Sequence, residues 1–267
     1  MGAFDFNRAI PGMIEPGEQK FLMDLARTDY KGSGEIVEIG SFVGLSTSAL
    51  AEGLRLNSSV ANKHARIHVF DTFTFPTGPL EQVFRSAVGR ERSLGAGFRD
   101  MFDQFLSPWS PLLDVHAGDA TGAKWNGKPI EILFVDCAAG LDFHMAIARE
   151  FYPHLAVDGF LIHQDWFYNR SWYLPAIMRA HYPEIVPIKS VGTSRIFQRR
   201  SDQHYKIQNP SDHDIVRFLL DEIEGERDEP EHLTILATAL IRFMRERAGQ
   251  LTPAFQNNLL DALGVDQ

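Results

Sequence analysis

The run Glu35-Ile36-Val37-Glu38-Ile39-Gly40-Ser41-Phe42-Val43-Gly44-Leu45-Ser46-Thr47 decides how the chain is read. A short apolar run of β-type residues carries a carboxylate, turns through two glycines and enters an Ala/Leu-rich helical pattern at Ser46. Strand, glycine turn and helix start in that order form a cradle for a small ligand. Glycine lets the backbone approach where a Cβ would collide, and a helix N-terminus offers unpaired N–H groups. Gly40 and Gly44 are spaced Gly-x-x-x-Gly with Phe42 between them, which departs from the Gly-x-Gly-x-x-Gly dinucleotide fingerprint. No Gly-Lys-Ser/Thr follows, so a P-loop is excluded.

Outward from this stretch, further apolar runs at 66–71, 112–117, 130–136 and 159–163 join 36–40 as predicted strands. Predicted helices cover 46–56, with Ser46 or Thr47 supplying the N-cap oxygen, and 98–106, 141–152 and 172–181. Two runs at 185–191 and 194–198, separated by Gly192-Thr193, read as a hairpin. Apolar strands alternating with helices imply a parallel sheet covered on both faces. The expected fold is therefore α/β: a Rossmann-like three-layer sandwich whose mostly parallel seven-stranded sheet ends in an antiparallel hairpin, plus a helical C-terminal extension. The division is 1–34, an N-terminal helical cap with a helix at 18–27; 35–200, the ligand-binding domain; and 201–267, the extension, with helices at 232–247 and 253–263. Residues 72–111 form a long Pro- and Gly-containing insertion, a candidate lid.

The 267 residues are 44% hydrophobic and 23% charged, ordinary for a globular enzyme. A net charge of −9 argues against a general nucleic-acid-binding face, which needs a basic surface. The single cysteine, Cys137, allows neither an intrachain disulfide nor a cysteine-rich zinc site, and fits a reducing compartment. Residues 1–8 lack the basic-then-apolar pattern of a signal peptide, and no apolar stretch reaches bilayer length. A cytoplasmic protein without a membrane or nucleic-acid partner is expected, and both terminal helical segments offer surfaces for a homodimer.

Acids recur at the predicted strand ends: Glu38, Asp71, Asp119, Asp136 and Asp165. One such acid caps the next turn or helix; five converging on the edge where open parallel sheets bind ligands point to a site. His144 and His163 are the candidate general bases, because a pKa near neutrality suits removal of a hydroxyl proton. The aromatic run Trp166, Phe167, Tyr168, Trp172 and Tyr173 follows the acidic edge and reads either as a stacking surface or as packing.

Glu-x-Gly-x-x-x-Gly, an acid ending the second strand and Gly118-Asp119-Ala120 after the third resemble class I S-adenosylmethionine-dependent methyltransferases. Phe134-Val135-Asp136 and the segment Phe151-Tyr152-Pro153-His154-Leu155 through Gly159 to Trp166 resemble the macrocin O-methyltransferase-like family, which methylates sugar hydroxyls on natural products. The resemblance spans roughly residues 10–200. It implies S-adenosylmethionine held by Glu38, Gly40, Ser41, Phe42, Gly44, Ser46, Thr47, Asp71, Thr72, Asp119, Ala120 and Asp136, with Asp71 on the ribose and Gly118-Asp119-Ala120 flanking the adenine. It further implies a catalytic place for Asp136, beside which His144 and His163 stand as the candidate bases, a small hydroxylated acceptor, and Mg2+ on Asp136, Gln164 and Asp165. Gln164 stands where the family has a second acid, and Cys137-Ala138-Ala139 departs from the family pattern. A non-catalytic member that only binds therefore remains a rival reading. So does an NAD-type oxidoreductase, which expects a third glycine.

Overall fold

The computed structural model describes residues 10–74, 82, 85, 96–137, 139–168, 170–179, 181, 184–202 and 209–247. Part of the expected lid (75–95, apart from 82 and 85) and the expected helix at 253–263 lie outside the described residues. The chain divides into two compact units: Met1–Cys137 with Ala146–Gln164 and Pro183–His204, and Ala138–Met145 with Asp165–Tyr182 and Tyr205–Gln267.

The first unit holds one seven-stranded sheet in the order β3-β2-β1-β4-β5-β7-β6. Its strands are β1 (Glu35–Ile39), β2 (Ile67–Asp71), β3 (Leu113–Ala117), β4 (Ile130–Val135), β5 (Leu155–His163), β6 (Ile185–Val191) and β7 (Ser194–Arg199). β3 through β5 are parallel; β7 runs antiparallel to β5, and β6 antiparallel to β7. The expected α/β sheet and closing hairpin are thus present. β1 and β4 are buried at every position, as continuous apolar runs in a sheet covered on both faces should be. α2 (Leu45–Leu56) shares one hydrophobic core with them, α1 (Pro16–Asp24) packs on α2, and α3 (Arg99–Leu106) brings Phe102 and Leu106 into the same core.

Several boundaries move by one or two residues from the sequence reading, and two differences have a structural cause. The N-terminal helix ends in a π turn, Leu25–Asp29, closed by Tyr30 N–H donating to the Leu25 carbonyl at 3.0 Å. β5 begins at Leu155, four residues before Gly159. Exposed Val157 and Asp158, the latter at φ +64°, resemble a turn in sequence, but the chain continues through them as a register shift opposite Ile130 and Ile132.

The second unit contains α5 (Leu174–Arg179), α6 (Asp212–Gly225) and α7 (Pro230–Arg247); α4 (Leu141–Phe151) contributes residues to both units. Ser211 caps α6: its Oγ accepts from Asp214 N at 3.2 Å, and Ser211 N donates back to Asp214 Oδ2 at 3.1 Å. α7 buries Leu236, Ala239, Leu240 and Phe243, one stripe at helical spacing. Phe243 meets Trp172 with ring centroids 4.9 Å apart, and His232 stacks on Phe167 at 3.6 Å. The C-terminal helices therefore cover the aromatic run that follows β5. Among the described residues no helix is long and apolar enough to cross a membrane.

Candidate functional site

The strand order reverses between β1 and β4, and the C-terminal ends flanking that reversal are where open α/β sheets form a ligand crevice. The glycine turn sits there. Gly40 has φ +87°, and a Cβ on it would lie 2.0 Å from the Asp136 carbonyl oxygen and 2.5 Å from Cys137 Sγ. Gly40 N donates to Phe70 O at 2.9 Å and Asp136 N to Ile39 O at 2.8 Å, so the turn is tied to the ends of β2 and β4 together. Phe42 adopts φ +51°, the left-handed conformation a glycine would take easily, and its ring packs edge-on against Phe98 at 5.5 Å. A side chain thus occupies a position where the backbone geometry still favours glycine.

The expected N-cap role of Ser46 or Thr47 is corrected. Gly44, at φ +98°, is the N-cap of α2, and no side chain caps it. The two hydroxyls instead donate to Glu38, Ser46 Oγ to Oε1 and Thr47 Oγ1 to Oε2 at 2.5 Å. A carboxylate with no exposed surface needs those donors more than a helix end does.

Burial pushes the Glu38 carboxyl up to about 7; the two hydroxyl donors pull the other way, and the nearby charge of Asp71 adds to the rise. The unfolded chain loses this proton near the ordinary value of 4.5, whereas the folded chain holds it to about pH 7. The folded state binds more protons in that window, so the contribution of Glu38 to stability falls as pH rises from about 4.5 to 7 and is level above. Glu38→Gln is expected to remove this slope, worth about 3 kcal/mol across the window. The readout is the variant-minus-wild-type difference in urea unfolding free energy at pH 5 and pH 8. It cancels His68 and His181, both held low by desolvation and driving stability in the opposite direction. A difference that does not change with pH contradicts a proton on Glu38.

Asp71 ends β2 and braces the turn. Its Oδ2 accepts from Ser41 N and Phe42 N, both at 2.9 Å, and its Oδ1 from Phe73 N at 2.7 Å. Thr72 is exposed and its Oγ1 accepts from Thr74 Oγ1 at 3.1 Å. After β3, Asp119 is exposed and caps a 3-10 turn, accepting from Thr121 N and Oγ1 at 2.8 Å. The Thr121 donors, backbone first, hold its carboxyl below the usual range. Ala120 is buried beside it. Gly118, whose N donates to Asp71 O at 2.9 Å, has φ +142° and open space where a Cβ would stand.

Asp136 is half-buried at the end of β4, next to the glycine turn. Gln164 follows β5 and donates its backbone N–H to Val135 O at 3.0 Å and its side-chain amide to Thr193 Oγ1 at 3.1 Å. Its Oε1 is buried and has no hydrogen-bond partner among the described residues. His163 is fully buried, with Nε2 2.6 Å from Tyr152 Oη, a partnership that the sequence does not signal.

In the second unit, Asp165 sits at φ +60° and its carbonyl accepts from Tyr168 N at 3.1 Å, starting a turn. His144 is buried, its ring 5.2 Å from that of Tyr173, whose Oη accepts from Gly140 N at 3.0 Å. Trp166, Phe167, Trp172 and Tyr173 are buried as well, while Tyr168 is exposed.

Residues 37–166 match the family model described as "Methyltransferase domain". The match covers just under half of the chain and takes in the glycine turn, Asp71, Asp119, Asp136 and Asp165. No curated protein matches the sequence. Among solved structures, the O-methyltransferase NovP shares 16% identity over 69% of this chain and 78% of its own, with a TM-score of 0.47. A methyltransferase from Geobacter sulfurreducens shares 17% over 70% and 80%, with a TM-score of 0.46. An O-methyltransferase from Bacillus cereus, in complex with SAH, shares 16% over 72% and 84%, with a TM-score of 0.43.

Proposed function

We propose that the chain is an S-adenosylmethionine-dependent O-methyltransferase, of the macrocin O-methyltransferase-like kind, acting on a hydroxyl of a sugar or natural-product acceptor. The observation that carries this reading is the pinned glycine turn at the strand reversal, braced by the Asp71 carboxylate, inside a region that matches a methyltransferase-domain model.

The cradle fits an adenosyl sulfonium. Gly40 and Gly44 let the turn close against the end of β4 and against Leu106 of α3, and the turn's backbone would receive the amino-acid end. Asp71 Oδ1 carries one N–H bond and keeps a lone pair for a ribose hydroxyl. The open side of Gly118, with Asp119 and Ala120, suits the adenine. When bound, S-adenosylmethionine supplies a methyl group already activated by the sulfonium, so positioning does much of the work. Glu38, near half-protonation at neutral pH, keeps the turn shaped through Ser46 and Thr47 without a full buried charge. With cofactor and acceptor bound, Asp136 would take the hydroxyl proton as the acceptor oxygen bonds to the methyl carbon and the carbon–sulfur bond breaks. Asp136 and Gln164 Oε1, the latter without a hydrogen-bond partner among the described residues, are oxygen donors that fit a hard divalent cation, which would lower the hydroxyl pKa.

The test is transfer of labelled methyl from S-adenosylmethionine to a panel of sugar-bearing acceptors, with Mg2+ and with excess chelator. Methyl incorporation that falls more than about tenfold on chelation is expected. Cofactor binding without transfer to any acceptor, with and without Mg2+, would instead favour a non-catalytic binding protein.

A further inference from the structure

A second cluster lies on the sheet's outer strands, away from the glycine turn. His68 and Asp114 face each other across the β2–β3 ladder, and His116 lies two residues along β3 on the same face. Their atoms converge: His68 Nδ1 to His116 Nε2 is 3.1 Å, His68 Nδ1 to Asp114 Oδ2 3.4 Å, and His116 Nε2 to Asp114 Oδ2 3.6 Å. Ligands held tetrahedrally at 2.0–2.1 Å from a zinc ion are about 3.3–3.4 Å apart, so these three separations bracket one face of such a site.

A second observation points the same way. His68 is buried, and its other nitrogen, Nε2, has no hydrogen-bond partner among the described residues. It faces Glu35 Oε2 at 3.8 Å, itself buried and without a hydrogen-bond partner among the described residues. The other Glu35 oxygen is committed to Lys128 Nζ at 2.8 Å and Arg66 at 3.4 Å. A metal on Nδ1 fixes the tautomer with its proton on Nε2, toward that carboxylate, which is how metal-ligating histidines are ordinarily oriented. His68 and Asp114 also line a 490 Å³ cleft, which gives a fourth ligand, water, access from solvent.

We propose that His68, Asp114 and His116 form a divalent transition-metal site, zinc by the chemistry of its donors, with Glu35 orienting His68. The ion cross-links edge strand β3 to β2. Two imidazoles and one carboxylate suit zinc over Mg2+, whose preferred ligands are oxygen. The site is independent of the methyl-transfer reading and stands or falls separately from it.

The experiment uses untagged full-length protein stripped by chelator, then re-equilibrated with Zn2+ or Co2+. One metal per chain by mass spectrometry, the visible bands of four-coordinate Co2+ and a raised melting temperature are expected. His116→Ala, at a position open to solvent, should weaken metal binding by more than about a hundredfold, and Glu35→Gln by about 10–100-fold. His64→Ala, on the same cleft but outside the cluster, should leave binding unchanged. Absence of bound metal in the wild type, undiminished binding in His116→Ala, or equal loss in His64→Ala would overturn the site.

Discussion

Gly40→Ala is expected to destabilise the fold by about 3–5 kcal/mol and to abolish cofactor binding with it. Two costs combine. The left-handed φ of +87° disfavours any Cβ, and that Cβ would stand 2.0 Å from the Asp136 carbonyl oxygen. The obstacle is backbone at the end of a fully buried strand, so no side-chain rotation relieves it. The alternative is to move the β1 turn away from β4, which breaks the Asp136 N to Ile39 O bond that closes the strand reversal. Thermal unfolding should show a fall of roughly 6–20 °C at this chain length. A fall of less than about 2 °C means the turn yields easily and does not hold the crevice in shape.

Asp71→Ala carries the second large effect, a loss of cofactor affinity of more than about a hundredfold, some 2.7 kcal/mol. Three backbone donors, Ser41 N, Phe42 N and Phe73 N, converge on this carboxylate. Removing it leaves three part-buried N–H groups without their acceptor, at up to about 1–3 kcal/mol each where water cannot replace it. The turn then loosens in the segment that must be preorganised for the ligand. Asp71→Asn retains one acceptor oxygen and is expected to fall between wild type and alanine. Isothermal calorimetry with S-adenosylhomocysteine gives the order. Undiminished binding in Asp71→Ala would remove Asp71 from the cofactor site.

Much of the architecture was legible because the strands are nearly pure apolar runs separated by turn residues. The runs that became β1, β2 and β4 could hardly be anything but buried parallel strands, and Gly192-Thr193 marked the hairpin. Local pattern misled where tertiary contacts set the outcome. Ser46 and Thr47 look like caps from sequence, yet the buried carboxylate eight or nine residues earlier claims their hydroxyls. Asp158-Gly159 looks like a turn, yet pairing with β4 carries the strand through it. The aromatic run after β5 could not be separated into packing and binding residues, because α7, some 65 residues later, supplies the rings that cover Phe167 and Trp172.

Candidate site residues divide along the same line. Glycine spacing and acids at strand ends are local signals, and the structure sets Gly40, Asp71 and Asp136 at the ends of three neighbouring strands. The Asp71 bonds to the turn, the Tyr152–His163 pair and the His68–Asp114–His116 cluster are long-range. Each depends on strand register or helix placement, which no spacing within a single run encodes. Phe42 is an intermediate case. Its ring masks, in sequence, a backbone conformation that glycine would have announced.

The most direct test of the cofactor assignment is one calorimetric titration of the full-length wild-type protein with S-adenosylhomocysteine, repeated with NAD. One S-adenosylhomocysteine per chain with micromolar-range affinity and no heat from NAD is the expected result. Saturable NAD binding with none of S-adenosylhomocysteine would contradict it, and would make the glycine turn a dinucleotide site despite its spacing.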